Sequence, residues 1–130
     1  MTISVTAIYA AALAVMIIVL RTQVSIMRGK TGISIMHGDN MALAESMRRH
    51  GNFVENVPMA LILMACAESL AAPAALLHAM GLVLIAGRLV HVMGIDHTRP
   101  AAPARIAGGI LTTLPMLAAI GFIGWKTAAG

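Results

Sequence analysis

Four charge-free stretches run through the chain, and they restrict its possible folds more than any other feature. They cover residues 1–20, 56–67, 69–87 and 106–125. A membrane-spanning helix needs about 20 predominantly apolar residues, and three of the stretches approach that length. The second reaches it only if the span is extended to 51–69, which places Glu55 at the edge of the bilayer. An acidic residue at that depth usually has a partner, so Glu55 is the first indication of a functional site.

The composition agrees with a membrane protein. Hydrophobic residues make up 59% of the 130 residues and charged residues 11%, whereas soluble domains average about 45–50% and 25%. The formal net charge of +4 would suggest nucleic acid in a soluble protein. Basic residues in a membrane protein mainly set its orientation, so we expect no nucleic-acid partner.

Turn signals between the apolar stretches predict four helices in a single domain covering residues 1–130. We place them at about 3–27, 40–70, 73–95 and 104–126. Asp39 or Asn40 can cap the second helix, because a short side-chain oxygen accepts a bond from the first turn. At about 45 Å this helix exceeds a hydrocarbon core of about 30 Å, so its first turns must project. The expected fold is an all-α integral membrane protein, an antiparallel four-helix transmembrane bundle.

The basic residues predict the topology. Eight of the nine lie in or beside the first and third connections, none lies in the second, and one follows the last helix. Since cytoplasmic connections are enriched in Lys and Arg, we expect both basic connections in the cytosol and both termini on the non-cytosolic side of a bacterial inner membrane. The residues counted are Arg21, Arg28, Lys30, Arg48, Arg49, Arg88, Arg99, Arg105 and Lys126.

Polar residues recur at helical spacing at the cytosolic end. Arg48, Asn52 and Glu55 are spaced i, i+4, i+7, which places them on one face of the second helix. Arg88, His91 and Ile95 form a similar series on the third helix, at i, i+3, i+7. Antiparallel pairing about a turn near residue 71 predicts Glu55 level with Arg88 and Asn52 level with His91.

Two interpretations of these residues remain open. Glu55 and Arg88 can form a neutralised pair that only fixes helix packing. However, Arg28, Arg48 and Arg105 also lie near this interface, and arginines in excess of acids favour an anionic ligand. That ligand is a lipid headgroup or a small peptide-like molecule with several carboxylates, in which case Glu55 can receive an ammonium group. An arginine beside a thiol would also stabilise the thiolate.

Two segments of the chain resemble the MAPEG family, the membrane-associated proteins in eicosanoid and glutathione metabolism. They are RRHGNFVENVP at residues 48–58 and AGRLVHVMG at residues 86–94. The similarity is closest to the small bacterial inner-membrane branch of the family. It implies a homotrimer that holds glutathione between neighbouring subunits near the cytosolic face. It also implies the glutathione transferase or peroxidase activity of many members.

The resemblance also implies roles for individual residues. Arg105 is the candidate catalytic arginine that activates the thiol of glutathione, the co-substrate. Arg28 would reach the ligand from the adjacent subunit. His91 stands where the eicosanoid-forming members have a tyrosine. The candidate glutathione-binding residues are Arg28, Arg48, Asn52, Glu55, Arg88 and His91.

The chain departs from the family pattern at Asn56 and Ile95, where tyrosine is common. Two phenol contacts are therefore missing, and the thiol site is expected to be poorer or differently built. The five histidines show no metal-ligand spacing, so we expect no metal.

Three functions follow for comparison. The first is a glutathione transferase or peroxidase that acts on hydrophobic electrophiles or lipid hydroperoxides. The second is a non-catalytic scaffold that binds lipid or a small anionic ligand at the same site. The third is a small four-helix exporter of cations, which would need an acid in the first helix, and residues 1–20 contain none.

Overall fold

The computed structural model describes residues 3–129 and contains four helices. They are α1 (Ser4–Thr31), α2 (Met41–Ser69), α3 (Ala74–Met93) and α4 (Pro103–Ala129). Within the described chain, α1, α3 and α4 are long and apolar enough to cross a membrane. Together with α2 they form an all-α, four-helix membrane bundle, as the sequence predicts.

The first helix continues four residues beyond its expected end. It stops at Gly32, which adopts a left-handed φ of 69° while its amide donates to the Arg28 carbonyl at 2.9 Å. Gly tolerates this conformation without steric cost, which makes it the usual residue at a helix C-terminus. Gly29 remains within α1 because its exposed position adds no packing conflict.

The second helix begins with the expected cap. The Asn40 side-chain oxygen accepts from the Leu43 amide at 2.9 Å. Pro58 lies inside the helix, on an exposed position. The turn to α3 passes through Ala71, whose φ of 61° is left-handed. Pro73 then occupies the position before the first residue of α3.

The helices α3 and α4 share the most extensive contact of the helix pairs in the described chain, and a glycine on each helix permits their close approach. A Cβ atom on Gly87 would lie 2.8 Å from the Leu111 Cβ, and one on Gly108 would overlap the backbone of His91. Because α4 packs against α3 at Gly87 and Gly108, these two glycines set the position of the α4 residues that face α2. The buried core includes Tyr9, Leu13, Leu20, Phe53, Val57, Ala60, Met64, Met80, Leu84 and Ala119.

At the opposite end of the bundle, a carboxylate from α2 caps the start of α1. The Glu68 oxygens accept from the Val5 and Thr6 amides, each at 2.8 Å. A negative charge at a helix N-terminus is stabilising because the free amides and the helix dipole are positive there. This contact fixes the depth of α1 relative to α2.

Candidate functional site

The arginine end of the bundle is the end where α1 and α3 finish and α2 and α4 begin. Arg28 and Arg88 lie in the last turns of α1 and α3, while Arg48 and Arg105 lie in the first turns of α2 and α4. The antiparallel order of the helices therefore gathers the arginines at one end. The partners of each arginine decide which of them can bind a ligand.

Arg88 lies at the centre of this end and is only 1% exposed. Its Nη2 donates to the Asn52 Oδ1 at 2.8 Å and its Nη1 to the Thr112 hydroxyl at 3.3 Å. Its guanidinium carbon is 5.6 Å from the centroid of the Phe53 ring, within the range of a cation–π contact. Arg88 thus joins α2, α3 and α4, and among the described residues it forms no ion pair.

Glu55 does not pair with Arg88, which was one of the two interpretations that the sequence leaves open. Asn52 occupies that place, and Glu55 instead pairs with Arg48 at 3.2 Å on the outer side of α2. Asn52 and Glu55 are about 60° apart around the helix axis, so α2 turns the amide inward and the carboxylate outward. The register was misjudged because α2 and α3 contact each other least of the packed pairs.

The Arg48–Glu55 pair is exposed to its surroundings in the protomer. The two side chains are 53% and 54% exposed, and the Arg48 Nη1 lies 3.2 Å from the Glu55 Oε1. Exposed ion pairs contribute only about 0–1 kcal/mol. A ligand that carries both a carboxylate and an ammonium group can therefore replace this pair at little cost.

Arg105 stands at the polar end of a groove of about 650 Å³ along α4. The Arg105 Nη1 donates to the Pro100 carbonyl at 3.1 Å. His91 lines the same groove, is 6% exposed, and has an Nδ1 atom without a partner among the described residues. Farther along α4 the groove is apolar, with Ile106, Ile110, Leu114 and Leu117 in its wall.

A smaller cavity of about 160 Å³ lies between the exposed Arg48 and the half-buried Arg105. Both Arg48 and Arg105 line it, as do Glu45 and His97. Arg105 also lines the α4 groove, so the cavity and the groove share this side chain. A ligand of peptide size can therefore contact α2 and α4 at the same time.

Glu45 holds the α3–α4 connection against α2, and the sequence offered no signal for this contact. Its carboxylate accepts from the amide and the ring Nδ1 of His97 and lies 3.5 Å from the Arg49 Nη2. The same Arg49 nitrogen donates to the Ile95 carbonyl at 2.8 Å. The amide of His97, and then its ring, holds the pKa of the Glu45 carboxyl below its usual value. Residues 52 positions apart in the chain are thereby joined.

Asp96 joins Glu45 and His97 in a cluster of potential metal ligands whose donor atoms lie within 4.8 Å of one another. The Asp96 carboxylate accepts from the Thr98 amide at 2.8 Å and the Thr98 hydroxyl at 2.7 Å. These bonds hold the pKa of the Asp96 carboxyl below its usual value, the side-chain bond contributing most. Glu45 and Asp96 thus both accept hydrogen bonds from residues of the α3–α4 connection.

Arg28 is held by its own connection within the protomer. Its Nη1 donates to the Ile33 carbonyl at 3.0 Å and the Met36 carbonyl at 3.1 Å. Its Nη2 lies 3.5 Å from the Met47 sulfur on α2. The structure records no contact of Arg28 with the other predicted site residues of the same chain.

The two positions that depart from the family pattern have local roles. The Asn56 Nδ2 donates to the Asn52 backbone carbonyl at 2.8 Å. Ile95 is 5% exposed, and its carbonyl accepts from Arg49. Neither side chain carries a phenol.

The fold and the arginine end together define a small four-helix integral membrane protein with a cluster of basic residues at one end of the bundle. Comparison with known proteins identifies its family. The MAPEG family model matches residues 6–125, and the chain belongs to the MAPEG family. It is similar to the inner membrane protein YecN of Escherichia coli, with 34% identity over 93 residues in each of two strains. The alignment covers 72% of this chain and 71% of YecN. No solved structure matches the chain significantly.

Proposed function

We propose that this protein binds glutathione at the arginine end and uses it against hydrophobic electrophiles or lipid hydroperoxides from the membrane. One observation carries the proposal: Arg48, of the exposed Arg48–Glu55 pair, lines a small cavity together with Arg105, which stands at the polar end of an apolar groove. Membership of the family supports a role in glutathione or eicosanoid metabolism. The groove adds a place for a second, lipophilic substrate.

The charges of glutathione complement this end of the bundle. Glutathione has two carboxylates, one ammonium group and one thiol. Arg48 would bind a carboxylate through its planar guanidinium, and Glu55 would receive the ammonium group. In the homotrimer that we propose, Arg28 of a neighbouring subunit would bind the second carboxylate.

Arg105 would activate the thiol of glutathione. A guanidinium beside the thiol favours the thiolate and so lowers the pKa of the thiol. In conjugation, the thiolate forms a carbon–sulfur bond to the electrophile while the leaving group departs with its electron pair. In peroxide reduction, two glutathione molecules become a disulfide, and the hydroperoxide becomes an alcohol and water.

The groove along α4 would deliver the acceptor. Its wall runs from Ile106 to Leu117, about 17 Å at 1.5 Å per residue, and its apolar side chains suit an acyl chain or an aromatic electrophile. Its polar end at His91 and Arg105 would hold the reacting group near the thiolate. A substrate dissolved in the bilayer can enter such a groove sideways.

We also propose that the arginine end is cytosolic and that both termini lie on the opposite side. Eight of nine basic residues belong to the arginine end or its connections, and this excess marks the cytoplasmic side. A reporter enzyme active only in the periplasm, fused to the C-terminus, should be active. An inactive fusion with normal expression would reverse the orientation.

The central experiment measures conjugation of glutathione to 1-chloro-2,4-dinitrobenzene by detergent-purified protein. Arg48→Ala, Glu55→Ala and Arg105→Ala should each reduce the rate at least tenfold, because each removes a contact to glutathione or its thiolate. Arg99→Ala is the matched control, since Arg99 is an exposed arginine of the α3–α4 connection with no ion pair in the described chain. Full activity in all three site variants would refute the site.

A thiolate difference spectrum separates binding from activation. Addition of glutathione should raise the ultraviolet absorbance of the wild type, and Arg105→Ala should lose this rise while it still binds glutathione. The same absorbance change in Arg105→Ala would remove Arg105 from the catalytic role.

The alternative function is a non-catalytic scaffold that binds lipid or an anion at the same site. The observation in its favour is that Asn56 and Ile95 leave the site without a phenol, with the Asn56 amide bonded to Asn52. A scaffold would gain thermal stability with ligand concentration but show no turnover and no thiolate absorbance.

A further inference from the structure

The buried guanidinium of Arg88 determines which end of the Asn52 amide faces the site. The Arg88 Nη2 lies 2.8 Å from the Asn52 side chain. A guanidinium can only donate hydrogen bonds, so the atom that it meets must be the amide oxygen. The Asn52 NH2 group must therefore point away from Arg88. Asn52 is only partly buried, and its NH2 has no acceptor among residues 3–129.

Arg88 itself cannot reach a ligand in this arrangement. Its side chain is enclosed by α2, α3 and α4, with 1% exposure, and its Nη1 is occupied by the Thr112 hydroxyl. The Phe53 ring covers one face of the guanidinium. Burial of a cation without a carboxylate is costly, and the Arg88 Nε also lacks a partner in the described chain. At 1% exposure the guanidinium does not face a ligand directly.

We propose that Arg88 is a positioning residue that makes Asn52 a hydrogen-bond donor toward the ligand. By holding the amide oxygen inward, it presents two N–H groups outward, beside Arg48 on the same helix face. Such a donor recognises an acceptor group, a carboxylate or an amide carbonyl, and rejects a ligand that presents a donor there. For glutathione as the ligand, this inference rests on the function proposed above.

The variant Asn52→Asp distinguishes the two roles of the Asn52 side chain, in which the oxygen accepts from Arg88 and the NH2 group donates to the ligand. Its carboxylate can still accept from Arg88, and it gives the buried cation a counter-charge, but it has no hydrogen to donate outward. The melting temperature should equal or exceed that of the wild type, while the dissociation constant for reduced glutathione should rise at least tenfold. Asn52→Leu, which loses both functions, should show a lower melting temperature and the same loss of binding.

Arg88→Met tests the positioning role from the other side. Without the guanidinium, the Asn52 amide is free to turn, so glutathione affinity should fall at least fivefold although Asn52 itself is intact. Arg88→Lys, which can still donate to the amide oxygen, should recover part of that affinity. Arg21→Met is the matched control, because Arg21 is exposed on α1 at the same end and has no recorded polar partner among the described residues.

Calorimetric titration with reduced glutathione and thermal unfolding in the same detergent give both readouts. Wild-type affinity in Asn52→Asp or in Arg88→Met would overturn the proposal, as would a lower melting temperature in Asn52→Asp. If the wild type binds no glutathione, the proposed function fails. The melting temperatures of Asn52→Asp and Asn52→Leu would still decide whether Arg88 holds the amide oxygen.

Discussion

The close approach of α3 and α4 can be tested with two neighbouring glycines of α4. Gly108 is buried and faces the backbone of His91, whereas a Cβ atom on Gly109 would meet nothing within 4 Å. Replacing either glycine with alanine favours the helix by about 1 kcal/mol. Only the substitution at Gly108 also forces α4 away from α3.

The difference between the two variants isolates the packing effect, because the gain in helix propensity is common to both. Overpacking of a well-packed interior costs about 1–3 kcal/mol. We therefore expect Gly108→Ala to be less stable than Gly109→Ala by about that amount. The obstructing atoms at Gly108 belong to backbone and Cβ, so a rotamer change cannot relieve the conflict.

Thermal unfolding of the two variants in the same detergent, followed by circular dichroism, provides the measurement. Gly109→Ala should unfold at or above the wild-type temperature and Gly108→Ala below it. Gly108→Ala should also lose affinity for glutathione, because displacement of α4 moves Thr112 away from Arg88. Equal melting temperatures for the two variants would refute the close-packed α3–α4 seam.

Three further predictions concern single contacts. The pKa of Glu45 is lowered in the folded protein, so its stabilising effect is present above its unfolded pKa and is lost as the pH falls through the folded value. Glu45→Gln should therefore reduce the acid-induced loss of stability, and an unchanged acid transition would contradict this role. Glu68→Ala should lower the unfolding free energy by about 1–2 kcal/mol, because it leaves two amides of α1 uncapped; a melting temperature equal to that of the wild type would oppose it. Tyr9→Phe removes the hydrogen bond to His78 at 3.0 Å and should lower the free energy of unfolding by about 0.5–1.5 kcal/mol. Denaturant titration measures this change, and an unchanged free energy would contradict the prediction.

The sequence predicts the helices of this protein well because each apolar stretch can satisfy its backbone only as a helix in a membrane. The Asn40 cap is likewise a local feature and was found from local sequence. The end of α1 lies four residues beyond the predicted position 27, because Gly29 is accommodated within the helix. Its helical context and the left-handed cap at Gly32 settle the boundary.

The partners of the site residues could not be predicted in the same way. Counting from the α2–α3 turn gives the depth of a residue but not the direction in which its helix turns the side chain. Glu55 and Asn52 differ by less than one turn in depth, yet one pairs with Arg48 outside and the other with Arg88 inside. The contact between Glu45 and His97 joins distant positions, and no periodicity within either segment predicts it.

The arginine end therefore has a fixed inner layer and an exchangeable outer layer. The inner layer consists of Arg88 with Asn52 and Thr112, and loss of either hydrogen bond would leave a further donor of the buried cation unsatisfied. The outer layer consists of the Arg48–Glu55 pair and Arg105, which hold only exposed partners. A charged ligand can replace the outer contacts at low cost while the inner contacts keep the helices in register. The arginines of this end thus divide into Arg88, which shapes the site, and Arg48 and Arg105, whose exposed partners a ligand can replace.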